Sequence, residues 1–272
     1  MMNKILIYTA ITGSYEALKQ PAVVDKDFDF LCFVSKGMQK AEYDGVWRIE
    51  EIPYEWDDMT LLARSQKLNP HTVLPPSYDF SLWIDGNISI LDSSIYDICR
   101  DLAARHIRFA GIKHPFRDCV YEEMERVLCD RRETLGKLLR LATFLVRRHY
   151  PRHAGLMETN LIFRCHVDDA VAEFDRWWWE CLIKYSNRDQ LTQGFAMMDT
   201  PQMQELIDNG LVCNLLPEGM SARNFPGLAY SVHKSGPEEL SWWQRKCLYG
   251  LNKPKTWILR AYIFILKLVF PD

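Results

Sequence analysis

Three features that often signal a function are missing from this sequence. The eight cysteines form no Cys-x-x-Cys or Cys-x-His pair, so a structural zinc site, which normally needs close ligand pairs, is not indicated. The strongly apolar segment 257–270 contains Arg260 and Lys267 and is shorter than the roughly 20 residues of a membrane-spanning helix. The net charge is −3, and without a basic excess the chain is not expected to bind nucleic acid.

The composition is that of a globular protein. The chain has 272 residues, of which 48% are hydrophobic and 12% aromatic, enough to bury one large core. The cysteines are scattered, several in apolar segments such as 30–33, and the short apolar run 5–8 does not resemble a signal peptide. We therefore expect a reduced, cytoplasmic protein. No glycine-rich phosphate loop follows the first strand, which disfavours a nucleotidyltransferase.

Strand-like and helix-like segments alternate in the first half of the chain. The pattern predicts strands over 4–11, 28–35 and 78–84, with a helix over 58–68 between the last two. Such alternation favours an α/β sheet with helices on both faces. We find no internal repeat, so the prediction is one domain over residues 1–240 and a C-terminal extension over 241–272.

The segment Trp83-Ile-Asp85-Gly-Asn87 contains the strongest chemical signal. A carboxylate just past a buried strand is held at the edge of the sheet where α/β proteins bind ligands. The oxygens of Asp85 and Asn87 suit Mn²⁺ or Mg²⁺ bound to a diphosphate. The alternative is a simple turn, because Asp, Gly and Asn favour turns for backbone reasons.

Two further groups of residues are candidates for binding a nucleotide. Thr9, Ala10 and Gly13 end the first predicted strand, where their backbone groups can contact a base and ribose. Arg64 and Lys67 share one face of the predicted helix and can meet the diphosphate or the base. The alternative for this pair is a solvated helix face.

Several blocks in order resemble one family. They are Tyr8-Thr-Ala-Ile-Thr-Gly-Ser-Tyr15, Arg64-Ser-Gln-Lys67, Asp85-Gly-Asn87, Lys113-His-Pro-Phe-Arg117, Glu158-Thr-Asn160 and Arg188-Asp-Gln190. The chain is similar over residues 5–195 to a GT-A-like glycosyltransferase family, formerly catalogued as a domain of unknown function, of plant wall and mucilage proteins and bacterial polysaccharide clusters. Several blocks in the right order are more specific than any one of them.

The resemblance implies a GT-A-like, nucleotide-sugar-binding sheet and a role for further residues. Tyr15 and Gln190 would join the nucleotide-sugar site, and Glu158 and Asn160 would form the donor-sugar pocket. Asp189 would accept a proton from the acceptor or hold sugar hydroxyls; its alternative is a helix N-cap. His233 would complete the metal site with Asp85 and Asn87, and its alternative is an ordinary surface histidine. Catalysis is assigned to Asp189 and Glu158.

The C-terminal extension differs in charge from the rest of the chain. From Ser241 onward it has six basic residues and one acid. Lys253, Arg260 and Lys267 are seven residues apart and fall on one helical face, and Pro254 is suited to a helix start. Basic residues beside large apolar ones predict a helix that lies on an anionic membrane surface. The alternatives are a helix docked on the body and a subunit interface.

These observations predict a metal-assisted glycosyltransferase. It would move a sugar from a nucleotide-diphosphate donor to an oligosaccharide or lipid-linked glycan of a bacterial surface polysaccharide, lipopolysaccharide included. It would be peripheral on the inner face of the cytoplasmic membrane. The alternative is a non-catalytic, membrane-associated protein that binds nucleotide or sugar during assembly, which the amide at Asn87 keeps open.

Overall fold

A central mixed sheet with helices on both faces forms the body of the protein. The computed structural model describes residues 5–13, 17–38, 41–231 and 242–271. The strands are β1 Ile5–Ile11, β2 Phe28–Val34, β3 Tyr43–Asp44, β4 Trp47–Glu51, β5 Ser81–Ile84, β6 Ile88–Ile90, β7 Phe109–Lys113, β8 Met157–Arg164, β9 Val212–Asn214 and β10 Leu228–Tyr230. The helices are α1 Met59–Leu68, α2 Pro70–Val73, α3 Ser94–Ala104, α4 Val120–Cys129, α5 Leu135–Arg147, α6 Asp169–Tyr185, α7 Gln190–Met198, α8 Pro201–Asp208 and α9 Trp242–Val269.

The main sheet has the strand order β3-β4-β2-β1-β5-β8-β7-β9, and β6 pairs with β10 in a small second sheet. Strands β1, β2, β4 and β5 are parallel, whereas β8 is antiparallel to both β5 and β7. The first residues of β8 therefore lie beside the last residues of β5. This arrangement brings the segment 158–160 to the edge where Asp85 emerges.

Alternation along β1 divides the core between the two faces of the sheet. Ile5 and Ile7 pack in a cluster with residues of α3, and Leu6 and Tyr8 pack in a second cluster with residues of α1 and α6. Successive side chains of a strand point to opposite faces, so an uninterrupted apolar strand needs helices on both sides. The predicted α/β class with flanking helices is confirmed.

Polar side chains fix where two of the helices begin. The carboxylate of Asp58 accepts from the backbone N–H groups of Thr60 and Leu61 at the start of α1, and Asp168 does the same for α6. Acidic N-caps satisfy backbone donors that have no partner inside the helix. The predicted start of the first helix at residue 58 is therefore confirmed to within a residue.

The C-terminal extension forms one long helix, α9, which packs on the body. Leu259, Ile263 and Leu266 join a core cluster with residues of α4, α5 and α7, so the docked-helix alternative describes the observed contact. Our expectation for Pro254 is wrong, since this residue lies inside α9. Among the described residues, no helix combines the length and the apolar character needed to cross a membrane.

Candidate active site

A cleft of about 970 Å³ opens at the carboxyl edge of β1 and β5. The end of β1, the segment after β5, the start of β8 and the facing sides of α1 and α4 form its walls, and the start of α7 closes it. Open α/β sheets bind ligands at this edge. Of the predicted site residues, the cleft is lined by Ala10, Arg64, Lys67, Asp85, Glu158, Asn160, Asp189 and Gln190.

Asp85 is positioned by its neighbours on β5 and β8. Its backbone N–H donates to the carbonyl of Asn160 at 2.9 Å, which ties the two strand ends together. Its carboxylate accepts from the indole Nε1 of Trp83 at 2.7 Å, and the ammonium of Lys67 lies 3.4 Å away. The carboxylate is thus held at the cleft with a fixed orientation, as the strand-edge argument predicts.

A buried ion pair joins α1 to the start of α7. The Lys67 Nζ atom lies 2.6 Å from Asp189 Oδ2, and the two side chains are only 5% and 8% exposed. Arg64 Nε lies 3.7 Å from the other oxygen. Burial by itself would raise the pKa of Asp189, but the charges of Lys67 and Arg64 outweigh it and hold that pKa well below its usual range. Asp189 is therefore an anion with little tendency to accept a proton.

Asp189 also holds the position predicted by its alternative interpretation. It is the N-cap of α7, where its carboxylate accepts from the backbone N–H of Gln190 at 3.2 Å. The buried indole of Trp178 donates to the Asp189 carbonyl at 2.9 Å. The cap, the ion pair and the Trp178 hydrogen bond together fix the position of this residue.

Three predicted sugar-binding residues have buried polar atoms without a protein partner. These atoms are Glu158 Oε2, Asn160 Oδ1 and Gln190 Nε2. A buried polar group without a hydrogen bond is costly, so atoms of this kind in a cleft wall suit the hydroxyl groups of a ligand. Burial raises the pKa of Glu158, and Arg223 opposes that rise.

Asn87 differs from the expectation that its amide faces the ligand. It is 1% exposed and is not among the described residues that line the cleft. Its Nδ2 donates to the carbonyl of Ser231 at 2.8 Å, and its carbonyl accepts from the Ser231 N–H at 2.9 Å. Its Oδ1 has no hydrogen-bond partner. Asn87 thus anchors the chain at Ser231. The predicted site residues His233 and Tyr15 lie outside the described residues.

Of the three residues predicted at the end of β1, Ala10 lines the cleft, whereas Thr9 and Gly13 do not. Thr9 is buried and its backbone pairs with Cys32 in the sheet, so its groups are not presented to a ligand. Gly13 donates its N–H to Ser35 Oγ at 3.2 Å and is likewise not a lining residue. Ala10, Ile11 and Thr12 line the cleft instead. The hydrogen bonds between neighbouring strands decide which backbone groups remain available to a ligand, and the sequence does not show these bonds directly.

Sequence reasoning missed two other groups. The first is a set of cations on the cleft wall opposite β1, namely Arg117, Arg126, Arg131, Arg132, Arg188 and Arg223. Four of these arginines cluster within residues 117–132, which is a signal that the sequence contains. The second is Cys119, Glu122 and His153, whose candidate ligand atoms lie within 4.8 Å of one another. Cys119 and Glu122 are three residues apart, whereas His153 is distant in sequence, and none of the three is among the described residues that line the cleft.

The fold and this cleft define an α/β protein with a charged ligand site at the carboxyl edge of its sheet. A family model described as "TOD1/MUCI70, glycosyltransferase-like domain" matches residues 2–209. The chain belongs to this family, which confirms the predicted family and the enzyme class, a glycosyltransferase. A sequence comparison with curated proteins gave no match.

Two solved structures share a distant overall likeness. The galactosyltransferase LgtC, in complex with donor and acceptor sugar analogues, is 11% identical, with 92% of this chain and 95% of that chain covered and a TM-score of 0.44. The apo form of mouse xyloside xylosyltransferase 1 is 8% identical, with 79% and 85% covered and a TM-score of 0.40. Likenesses this distant carry no conclusion about substrate or residue roles.

Proposed function

We propose that the enzyme transfers a sugar from a nucleotide-diphosphate donor to a surface-glycan acceptor, an oligosaccharide or a lipid-linked glycan. The observation that carries the proposal is the composition of the cleft. Cations from α1 lie beside Asp85, and unpartnered polar atoms of Glu158, Asn160 and Gln190 lie in the same wall. A diphosphate needs positive charge and a sugar needs hydrogen-bond partners, and this cleft supplies both.

Donor binding is assigned to the side of the cleft formed by β1 and α1. Backbone and side-chain groups of residues 10–12 meet the nucleoside, and Arg64 and Lys67 meet the diphosphate. Lys67 is already held between two carboxylates, at 2.6 Å from Asp189 and 3.4 Å from Asp85. Its position is therefore fixed before a ligand arrives, which reduces the entropic cost of binding.

The residues at the end of β5 fit a divalent cation. Asp85 offers a carboxylate at the cleft. Asn87 does not line the cleft, but its buried Oδ1, two residues further along the chain, has no partner. His233 follows two residues after Ser231, to which Asn87 is bonded. These donors suit Mn²⁺ or Mg²⁺. Such an ion, when bound, neutralises charge on the departing diphosphate.

The proton of the reaction is assigned to Glu158. An acceptor hydroxyl forms a bond to the anomeric carbon, the bond from that carbon to the diphosphate breaks, and the nucleoside diphosphate leaves. The hydroxyl proton passes to the Glu158 carboxylate, whose pKa is raised by burial and which is therefore the better base. Asp189, an ion-paired anion, orients Lys67.

Two variants test the division of roles between the carboxylates. Glu158→Gln should lower kcat by about 100-fold or more, the scale of general-base catalysis, with little change in donor KM. The matched control is Glu173→Gln, an exposed position on α6, which should keep normal kinetics. A Glu158→Gln enzyme with full kcat would remove the proton role.

Donor and metal binding are tested together by thermal shift with a panel of nucleoside diphosphates, with and without Mn²⁺. Stabilisation should require Mn²⁺ and should be lost in Asp85→Ala. The control is Asp208→Ala, an exposed residue that ends α8. Full activity of Asp85→Ala, or undiminished activity in EDTA, would contradict the metal assignment.

Attachment to an anionic membrane, on its inner cytoplasmic face, is supported by the outer side of α9. Opposite the docked residues, this helix exposes Trp257 (65%), Phe264 (64%) and Leu268 (68%), together with Ile258 and Ile265. Lys253 and Arg260 lie along one margin of that apolar strip, by helical spacing. Of the two, Arg260 is already ion-paired with Glu125 of α4. An apolar strip with cations at its margin suits the surface of a bilayer that contains anionic lipid.

Liposome flotation tests this attachment. Wild-type protein should float with vesicles containing phosphatidylserine, and less so at high salt because part of the attraction is screened. Trp257→Ser combined with Phe264→Ser should abolish flotation without unfolding the protein, since both side chains face outward. Ile183→Ser, an exposed apolar position on α6, is the control. Equal flotation of all three proteins would contradict the proposal.

A further inference from the structure

A second, smaller hollow adjoins the cleft. Its volume is about 450 Å³, and it lies where the end of α4, the start of α5 and the first half of α9 meet. Arg131 and Arg132 line both spaces. The two spaces therefore adjoin at the turn between α4 and α5.

The hollow is positively charged. Arg131, Arg132, Lys137 and Lys255 line it, and Glu133 is the single acidic lining residue among those that the structure describes. The Glu133 side chain is turned inward, where one oxygen accepts from Ser186 Oγ at 3.0 Å and from the Asn187 N–H at 2.9 Å. Its charge is thus engaged by the protein interior. Its other oxygen lies 3.9 Å from Lys137 Nζ, which also donates to Asn187 Oδ1 at 2.8 Å. Among the described residues, Arg131 and Lys255 are the lining cations that a ligand in the hollow would meet without an ion-pair partner.

The positive charge continues from the hollow into the cleft. Arg188 donates its Nε to the carbonyl of Arg132 at 3.3 Å, and both residues line the cleft together with Arg64. Burial, together with the charges of Arg64 and Arg132, lowers the pKa of Arg188 to about 10. Like charges gathered in one place are costly unless an anion binds among them.

The backbone of Arg131 adds a local strain. Arg131 has a φ of 54°, a left-handed conformation that is uncommon for residues other than glycine. It follows the C-cap of α4, Asp130, and it is held there by a hydrogen bond from its N–H to the carbonyl of Leu128 at 3.2 Å. Within the described residues its guanidinium has no ion-pair partner. The turn therefore brings an unneutralised charge to the junction of cleft and hollow.

We propose that the acceptor carries a phosphate or diphosphate group and that this group binds in the hollow while the accepting sugar hydroxyl reaches the cleft. This inference rests on the proposed glycosyltransferase function and names its acceptor class. Arginine and lysine are the side chains that recognise phosphate. Because Glu133 faces Lys137, Arg131 and Lys255 carry the charge that remains for an anionic group, and a phosphate or diphosphate matches it.

The binding of phosphate groups in the hollow is tested by calorimetric titration with pyrophosphate. The full-length protein is first saturated with a nucleoside diphosphate and Mn²⁺, so that the donor site is occupied. Arg131→Gln combined with Lys255→Gln should weaken pyrophosphate binding at least tenfold, about 1.4 kcal/mol. Arg105→Gln combined with Arg140→Gln removes the same charge outside both spaces and should change it less than about twofold. Nucleotide affinity should remain unchanged in the Arg105→Gln, Arg140→Gln control.

The outcomes separate the two proposals. Failure of the nucleoside diphosphate to bind would count against the donor site and hence the proposed function. Nucleotide binding without pyrophosphate binding, or equal weakening in both double variants, would overturn the phosphate-bearing acceptor.

Displacement of pyrophosphate then identifies the source of the phosphate. Displacement by a prenyl diphosphate in phosphatidylcholine vesicles supports a lipid-linked acceptor, and displacement by a soluble sugar phosphate supports a free one. Displacement by neither means that pyrophosphate binds as an adventitious ion only, which also overturns the inference.

Discussion

Replacing Lys67 by methionine should destabilise the protein because it leaves a buried carboxylate without its main counter-charge. The Lys67–Asp189 pair is nearly fully buried, with its atoms 2.6 Å apart. Removing one partner of such a pair costs about 3–5 kcal/mol. Arg64 stays 3.7 Å from Asp189 and compensates in part, so we expect the lower end, about 3 kcal/mol. For a protein of this size that lowers Tm by roughly 6–12 °C.

The loss should depend on pH in a defined direction. In the wild type the pKa of Asp189 is held below its usual range, so its stabilising contribution is present above the unfolded value of about 4 and disappears as pH falls through the folded pKa. Without Lys67, burial raises that pKa, so the variant gains stability as pH falls. The difference in unfolding free energy should therefore be largest near pH 7 and should narrow toward pH 4.

A double-mutant cycle measured by urea unfolding, with tryptophan fluorescence as the signal, checks this reasoning. Asp189→Asn in the Lys67→Met background removes the unpaired charge and should restore part of the lost stability, giving a coupling energy of at least about 1 kcal/mol. A cost below about 1 kcal/mol for Lys67→Met, or simple additivity of the two changes, would refute the buried pair. The double variant should remain inactive even where its stability is restored, since both altered side chains line the cleft.

Two other predictions concern residues behind the cleft. Trp178→Phe removes the hydrogen bond to the Asp189 carbonyl and should cost about 1–3 kcal/mol for the orphaned acceptor, measured by urea unfolding, and lower kcat; normal kcat and stability would contradict the positioning role. Burial lowers the pKa of His166 to about 4, so this histidine should make the protein less stable as pH falls from about 6.5 to 4, because the unfolded chain binds the proton first. His166→Gln should flatten the dependence of Tm on pH in that window; an unchanged slope would show that other groups cause it.

The elements of the fold could be predicted where one local rule decided them. Apolar runs of strand length marked β1, β2 and β5, and an acidic cap marked the start of α1 at Asp58. Asp85 could be predicted as a cleft residue because a residue just past a buried strand lies at the edge of the sheet, where α/β proteins bind ligands. For these residues, local pattern and final position coincide.

Other positions depend on partners distant in sequence. Thr9 is unavailable because β2 pairs with it, and Asn87 turns inward because Ser231, 144 residues later, accepts its amide hydrogen. Arg164 is wholly buried beside Asp175, and its guanidinium donates to the carbonyl of Lys67 behind the cleft. A lone arginine on a strand is ordinarily expected at the surface. Tertiary pairing, which no local pattern encodes, decides all three cases.

The C-terminal helix illustrates how two interpretations of one sequence can both have a physical basis. The sequence supports two interpretations of the C-terminal extension, a helix docked on the body and a helix on a membrane surface. The two are compatible because opposite sides of one helix can make different contacts. Leu259, Ile263 and Leu266 bury one side of α9 against α4 and α5, and Trp257 and Phe264 remain exposed on the other. A surface helix with only a docking role would carry polar residues on its outer side. Over residues 257–268, α9 instead exposes large apolar side chains, which supports the proposed contact of its outer face with a membrane surface.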